Sequence, residues 1–166
     1  IGLILPTKMW GMILFRRTLQ FLSAQNKAKG EVKKLPWDME VVGELRQKWM
    51  EYFGMLEGVK EIAFPRSVKP SNVMPDTSPT IVTFSDGNKD SFGAVLYLLW
   101  TLTGGEREAR LVTAKAKLAP LLNQGEVVKN ELAGATFAVR LKSWLLQQSS
   151  LNLGDYQPFV DSQIVQ

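Results

Sequence analysis

The stretch from Thr80 to Trp100, TIVTFSDGNKDSFGAVLYLLW, determines how the rest of the chain is interpreted. Alternating apolar residues lead to Asp86, a polar turn follows, and the chain returns in a longer apolar run, a pattern typical of a β-hairpin. Because strand residues alternate between the two faces of a sheet, we expect Asp86 to share a core-facing row with Val82 and Phe84. A carboxylate on such a row needs a cation or hydrogen-bond donors. The alternative is that Asp86 only begins a turn, where aspartate is common.

The composition excludes several kinds of chemistry. The chain has 166 residues, enough for one domain with a core, and its 45% hydrophobic and 22% charged content is typical of soluble globular proteins. It contains no cysteine and no histidine, which excludes disulfides, thiolate nucleophiles, Ser-His-Asp triads and imidazole metal ligands. Any hydrolytic site must therefore rest on carboxylates and hard cations such as Mg²⁺.

Positive charge is concentrated in the first part of the chain. Residues 1–70 contain 12 Lys/Arg and 7 Asp/Glu, a net charge of +5, whereas residues 71–166 contain 8 and 9, a net charge of −1. A basic flank beside an acidic site suits a polyanionic partner, although a solvated helix face explains the same charges. The apolar run Met9–Phe15 is too short to span a bilayer, so we expect a cytoplasmic or nuclear protein that is neither secreted nor bound to a membrane. The basic residues are densest at Arg16, Arg17, Lys27, Lys29, Lys33 and Lys34.

The order of the elements predicts an α/β fold. Helices are expected over residues 3–22 and from Asp38 onward, with Asp38 as the N-cap and Trp37 packed on Val42. A polar loop should begin near Asn26. The second helix has one apolar stripe that should pack in a core: Val42, Leu45, Trp49, Phe53 and Leu56. Prolines mark a connector before three antiparallel strands, a helix over 126–148 and a strand over 156–160. The expected domains are a helical connection segment over 1–69, a proline-rich linker over 70–79 and an α/β domain over 80–166.

Three carboxylates are expected to meet at one end of this sheet. A parallel fourth strand beside the first places Asp161 next to Asp86, and Glu131 lies early in the crossover helix near its buried side. Carboxylates that converge without a base between them repel one another, and a divalent metal is the common resolution. Two Mg²⁺ ions about 4 Å apart can activate water and stabilise both oxygens of a phosphodiester displacement. The buried face of the helix is expected at Val128, Leu132, Ala135, Val139 and Trp144 or Leu145, with Arg140 and Lys142 exposed.

Four segments carry a resemblance to a known family: FSDGNKDSFGAVLYLLW from Phe84, LVTAKAKLAP from Leu111, NELAGATFAVRL from Asn130 and FVDSQIV from Phe159. They resemble the ribonuclease H domain of retroelement reverse transcriptases, in particular that of Bel/Pao LTR retrotransposons. PTKMWGMILFRRTLQ, LPWDMEV, LRQKWMEYF and IAFPRSVKP resemble the connecting segment that follows the polymerase palm there. The resemblance covers nearly the whole chain and implies a ribonuclease H-like mixed sheet, β-β-β-α-β, preceded by a short helical segment.

The resemblance also implies a chemistry. It makes Asp86, Glu131 and Asp161 the catalytic acids that bind two Mg²⁺ ions, with Mn²⁺ as an alternative. The implied reaction is endonucleolytic hydrolysis of the RNA strand of an RNA/DNA hybrid, with the polymerase part of the same polyprotein as a further partner. Three hairpin-turn residues are candidates for contacts to the substrate backbone or its 2′-OH, unless they only shape the turn: Asn88, Lys89 and Ser91.

The chain is expected to be a fragment, because it begins at Ile1 and ends five residues after Asp161. The family carries further helices, usually another strand and a fourth acidic metal ligand beyond this point, for which Asp155 is a poor substitute. The expected module is therefore C-terminally incomplete. Two alternatives stay open: an integrase-type nuclease, disfavoured because its last acid is usually a helical Glu, and a non-catalytic nucleic-acid-binding or scaffold fragment of a reverse transcriptase polyprotein.

Overall fold

The chain divides into two compact units. This computed structural model describes residues 5–28 and 38–161. One unit comprises Pro6–Ile62 and contains α1 (Leu5–Ala28, nearly whole) and α2 (Gly43–Val59), and the other contains the chain from Ala63 onward. The predicted domain boundaries stay a prediction. The second unit contains β1 (Thr80–Gly87), β2 (Ser91–Thr101), β3 (Arg107–Leu118), α3 (Val127–Gln148) and β4 (Tyr156–Val160).

The helical unit is held together by aromatic and polar contacts between α1 and α2. Trp49 donates its indole N–H to the Thr18 hydroxyl at 3.0 Å, and that hydroxyl donates to the carbonyl of Leu14 at 2.9 Å. Tyr52 lies edge-on to Trp10, with ring centroids 5.8 Å apart. The predicted core position of the α2 stripe is only partly right, because α2 has no buried residue and Phe53 is 53% exposed.

The predicted bounds of these helices need correction. α2 begins at Gly43, and its N-cap Val42 is extended and makes no side-chain capping bond, so Asp38 is not the cap. α1 continues to Ala28 instead of ending near residue 22, because buried residues recur along one face as far as Asn26, where a loop was expected. The expected packing of Trp37 on Val42 involves a residue outside the described ranges.

The second unit is a four-stranded sheet in the order β3-β2-β1-β4. β1 and β3 each pair with β2 in the antiparallel sense, and β4 pairs with β1 in the parallel sense. α3 connects β3 to β4 and packs on β1 and β2. This is the predicted β-β-β-α-β mixed sheet behind a helical segment, so the α/β, ribonuclease H-like fold class is confirmed.

The core lies between α3 and one face of the sheet. From Ala94 to Thr101 of β2 burial alternates, because every second side chain points at α3. The predicted buried face of α3 is wrong at several positions before Leu145, since Leu132 is 59% and Val139 56% exposed. The apolar periodicity does not identify the buried face there, because the residues of α3 that face the sheet include polar Asn130 and Gly134. The buried residues of α3 are Asn130, Gly134, Phe137, Ala138, Leu141 and Leu145.

The proline-rich segment lies along the end of the sheet opposite the β1–β2 turn. The indole N–H of Trp100 donates to the carbonyl of Val68 at 2.7 Å, and Val73 forms an isolated antiparallel bridge with Leu102. Buried Pro79 accepts the N–H of Gly154 at 2.9 Å. These contacts secure the entry to β1 and the loop before β4, and so help to set the register between the two strands.

Candidate metal centre

The register between β1 and β4 places two of the predicted acids side by side. The parallel pairing runs from Ile81 with Tyr156 to Ser85 with Val160. Asp86 and Asp161 each follow the last pair by one residue, at the same end of neighbouring strands. Adjacent strands are about 4.8 Å apart, so the backbones of the two aspartates are neighbours.

Two glycines bring α3 against this end of β1. A Cβ atom on Gly87 would lie 2.3 Å from the carbonyl carbon of Asn130 and from the nitrogen of Glu131. A Cβ atom on Gly134 would lie 2.6 Å from the carbonyl oxygen of Asp86. Because the obstructing atoms are backbone, no larger residue fits at either position without moving the helix. The absence of two side chains thus holds the Glu131 backbone next to the residue that follows Asp86.

The hairpin turn is attached to the same part of α3. The side-chain amide of Asn130, only 1% exposed, donates to the carbonyl of Asn88 at 2.7 Å. The side-chain oxygen of Asn88 in turn accepts the backbone N–H groups of Asp90 and Ser91, both at 2.9 Å. The turn therefore has a defined shape and cannot move independently of the helix that carries Glu131.

The row that Asp86 shares with Val82 and Phe84 faces the core only at Val82, so the predicted core position is wrong for Phe84 and Asp86. Ile81, Thr83 and Ser85 are buried beneath α3, whereas Phe84 is 46% exposed on the opposite face and Asp86 is exposed too. The physical reason is the close approach of α3, which leaves room only for small side chains at this end of its face of β1. The acid therefore lies at an accessible edge of the sheet.

The three acids lie at one end of the fold, but their carboxylates are not gathered. Within residues 5–28 and 38–161, no three acidic side chains lie close enough together to hold a metal ion. One carboxylate oxygen of Asp86 accepts the N–H of Gly87 at 2.7 Å. Glu131 is half-buried and Asp161 is exposed. Convergence on a cation therefore requires side-chain rotation, which exposure permits for Asp86 and Asp161.

The donor chemistry at this end fits a hard divalent cation. All three groups are carboxylates, the oxygen donors that Mg²⁺ and Mn²⁺ prefer. In the described part of the chain, none of them forms an ion pair with a lysine or arginine. Asp86, Glu131 and Asp161 are thus available to a cation from solution.

The sequence was also compared with known proteins. A family model described as the Pao retrotransposon-like RNaseH-like domain matches residues 1–162. The chain belongs to this family. A search of curated proteins finds no match.

The match agrees with the resemblance seen in the sequence, and it includes both units of this Pao RNaseH-like domain. The observed topology is therefore that of a retroelement ribonuclease H-like domain. Across the described helices, none is both long enough and apolar enough to cross a bilayer.

The predicted substrate residues of the Pao RNaseH-like domain lie between β1 and β2, with Asn88 and Lys89 in the turn and Ser91 as the first residue of β2. The Asn88 carbonyl oxygens are engaged within the protein, and the hydroxyl of Ser91 lies 3.4 Å from one of them. The Lys89 side chain is exposed, while its carbonyl accepts the N–H of Gly125 at 3.0 Å. Ser91 thus has a role in turn shape, and Lys89 is the group directed to solvent.

Three residues that position the acids were missed from the sequence: Gly87, Asn130 and Gly134. A signal for the first two existed, since each is adjacent in sequence to a predicted acid. A glycine after a strand-end acid indicates close backbone approach as well as a turn. Gly134 carried no such signal, because its partner strand is distant in sequence.

Proposed function

We propose that this chain is a ribonuclease H-type nuclease domain that hydrolyses the RNA strand of an RNA/DNA hybrid with divalent metal. The observation that supports this most strongly is the register that leaves Asp86 and Asp161 adjacent at the ends of β1 and β4. The family match supports the class of reaction. In the proposal Mg²⁺, with Mn²⁺ as a substitute, supplies Lewis-acid stabilisation of phosphodiester oxygens and activation of water.

The proposed roles follow from position. Asp86, at the centre of the group, would hold the metal together with Glu131 from the helix and Asp161 from the neighbouring strand. Gly87 and Gly134 set the separation of α3 from β1, and Asn130 ties the turn to the helix. No histidine is available, so proton transfer falls to water and the carboxylates.

The substrate side of the proposal rests on the turn. The amide nitrogen of Asn88 and the ammonium of Lys89 are donors at an exposed turn next to Asp86. Donors of this kind suit sugar-phosphate oxygens, and a 2′-OH contact is what distinguishes RNA from DNA. The polymerase part of the same polyprotein is the proposed partner that delivers the hybrid.

The test is a cleavage assay on a hybrid with a labelled RNA strand, in Mg²⁺ and in EDTA. Cutting of the RNA strand in Mg²⁺ is expected, with loss of at least 10²-fold in Asp86→Asn, because the proposed central ligand loses its charge. Asp155→Asn, a loop acid before β4, is the matched control and should cut at the wild-type rate. Equal rates for Asp86→Asn and wild type would refute the assignment of Asp86.

A second candidate is a binding domain without catalysis. It is favoured by the observation that the acidic side chains of the described residues do not converge. It is also favoured by α1, which contains Lys8, Arg16, Arg17 and Lys27 and no acidic residue. This candidate predicts salt-sensitive binding of the hybrid with no cutting in either Mg²⁺ or Mn²⁺.

A further inference from the structure

Two lysines on β3 lie on either side of the residue that is in register with Asp86 across the sheet. Asp86 pairs with Gly93 of β2, and Gly93 pairs with Ala116 of β3. Lys115 and Lys117 are the residues on either side of Ala116. Two strand spacings separate them from β1, so their backbones lie about 10 Å from that of Asp86.

Both lysines are on the α3 face of the sheet, in register with Phe92 and Ala94, whereas Asp86 is on the opposite row; the lysines and the acids share one end of the sheet. The Nζ atoms of Lys115 and Lys117 lie 5.1 and 6.0 Å from the ring centroid of Phe137, a buried residue of α3. α3 covers β1 and β2 and leaves most of β3 open, so both side chains pass over the ring to solvent. One aromatic ring thus holds two positive charges at one place.

These charges have no acidic partner within the described residues. Two other basic residues of this unit are compensated, since Lys129 is paired with Glu126 and Arg110 with Glu108. Two ammonium groups held near one ring repel each other, and a cation–π contact offsets only part of that cost. An anion bound between Lys115 and Lys117 would relieve the repulsion.

We propose that Lys115 and Lys117 bind backbone phosphates of the nucleic acid whose neighbouring phosphodiester is presented to the acids at the end of β1. This rests on the proposed function and names the surface that positions the substrate. Phosphate contacts fix the register of the duplex without reading its sequence.

A structural role gives a different expectation. The aliphatic parts of both lysines cover Phe137, and a residue that only covers the ring needs no charge. Methionine keeps an unbranched apolar side chain of similar length. The double variant Lys115→Met/Lys117→Met therefore removes the two charges while it retains the cover.

The experiment measures binding of a fluorescent RNA/DNA hybrid at several KCl concentrations in EDTA. The slope of log K against log salt should fall by about 0.7–0.9 for each phosphate that a lysine no longer neutralises, a total of about 1.4–1.8 for the double variant. If the binding curves meet at 1 M salt, this equals roughly 25- to 60-fold weaker binding at 0.1 M. Lys115→Arg/Lys117→Arg should restore the slope, and each single Met variant should show half the change.

Lys69→Met is the matched control. Lys69 also lies over an aromatic ring, with its Nζ atom 5.8 Å from the centroid of Trp100. Trp100 lies about 24 Å further along β2 than the partner of Asp86, at about 3.4 Å per residue. The slope of log K against log salt for Lys69→Met should equal that of the wild type.

The outcomes separate this inference from the nuclease proposal. An unchanged slope in the double variant, with wild-type thermal stability, would overturn the role of the lysines even if the wild type cuts the hybrid. A wild type that binds the hybrid but never cuts it would refute the nuclease proposal. The salt slopes of the lysine variants would still decide whether Lys115 and Lys117 contact phosphates. A wild type that does not bind the hybrid would overturn both.

Discussion

Gly134→Ala tests the packing on which the candidate centre depends. In an exposed helix interior this substitution stabilises by about 1 kcal/mol, because alanine restricts the unfolded chain and favours the helix. Here the new Cβ atom would lie 2.6 Å from the carbonyl oxygen of Asp86 and 3.2 Å from that of Gly93. Both oxygens belong to paired strands and cannot rotate away, so α3 itself must move.

The magnitude follows from the distance. Restoring an ordinary contact at 3.4 Å requires a shift of about 0.8 Å. A gap of 0.5–1 Å forfeits a quarter to a half of each dispersion contact that it opens. Overpacking of this kind lowers the free energy of unfolding by about 1–3 kcal/mol, and the higher helix propensity of alanine offsets about 1 kcal/mol of this. We therefore expect Gly134→Ala to lower the free energy of unfolding by about 1–2 kcal/mol.

The assay is urea unfolding followed by circular dichroism, with Gly54→Ala as the control. A Cβ atom on Gly54, in the interior of α2, meets no atom within 4 Å, so that variant should be stabilised by about 0.5–1 kcal/mol. The two glycines thus predict opposite signs for the same chemical change. A Gly134→Ala protein as stable as the wild type, or more stable, would refute the close approach of α3 to β1.

Three further predictions concern polar side chains. The buried Ser85 hydroxyl has no hydrogen-bond partner among the described residues, so Ser85→Ala should raise the free energy of unfolding by up to about 1 kcal/mol. Thr83→Val removes a 2.9 Å hydrogen bond to a tyrosine hydroxyl on β4 and should lower the free energy of unfolding by about 1 kcal/mol. Chemical unfolding of the two variants and the wild type measures both changes. Asn130→Ala removes the bond to the hairpin turn and should cost about 1–3 kcal/mol, with faster amide exchange in the turn; unchanged exchange would count against that tie. The hydrogen bond from Lys48, then its charge, lowers the pKa of Glu44 from 4.5, so its contribution is present above that value and disappears as pH falls through the lowered pKa. Lys48→Met should return this pKa toward 4.5 in an NMR titration, and no change would contradict the pairing.

The strands and the crossover were predictable because their signals are local. Alternation along Phe92–Trp100 and the polar turn before it predict the β1–β2 hairpin, and a strand that follows the crossover helix is expected beside the first strand, which places β4 next to β1. The observed range of β4, Tyr156–Val160, is the predicted one, and α3 starts one residue after its predicted start. The adjacency of Asp86 and Asp161 follows from these features alone.

The faces of the elements were harder to predict than the elements. The row of Asp86 was assigned to the core because Val82 and Phe84 are apolar, but Phe84 is exposed and the small residues Thr83 and Ser85 are the ones buried beneath α3 at this end of β1. That limit comes from backbone contacts between residues far apart in sequence, which no local pattern reveals. α3 was misassigned in the same way, since polar Asn130 has a buried hydrogen-bond partner that lies in the hairpin turn.

A Mn²⁺ titration observed by amide NMR decides whether Asp86, Glu131 and Asp161 form the single divalent-metal site that we propose. Paramagnetic broadening should begin at Gly87, Glu131 and Asp161 at the lowest Mn²⁺ concentrations, compete with Mg²⁺, and disappear in Asp86→Asn. The loop variant Asp155→Asn should broaden like the wild type. Broadening that begins at other acids, or that survives in Asp86→Asn, would contradict the account.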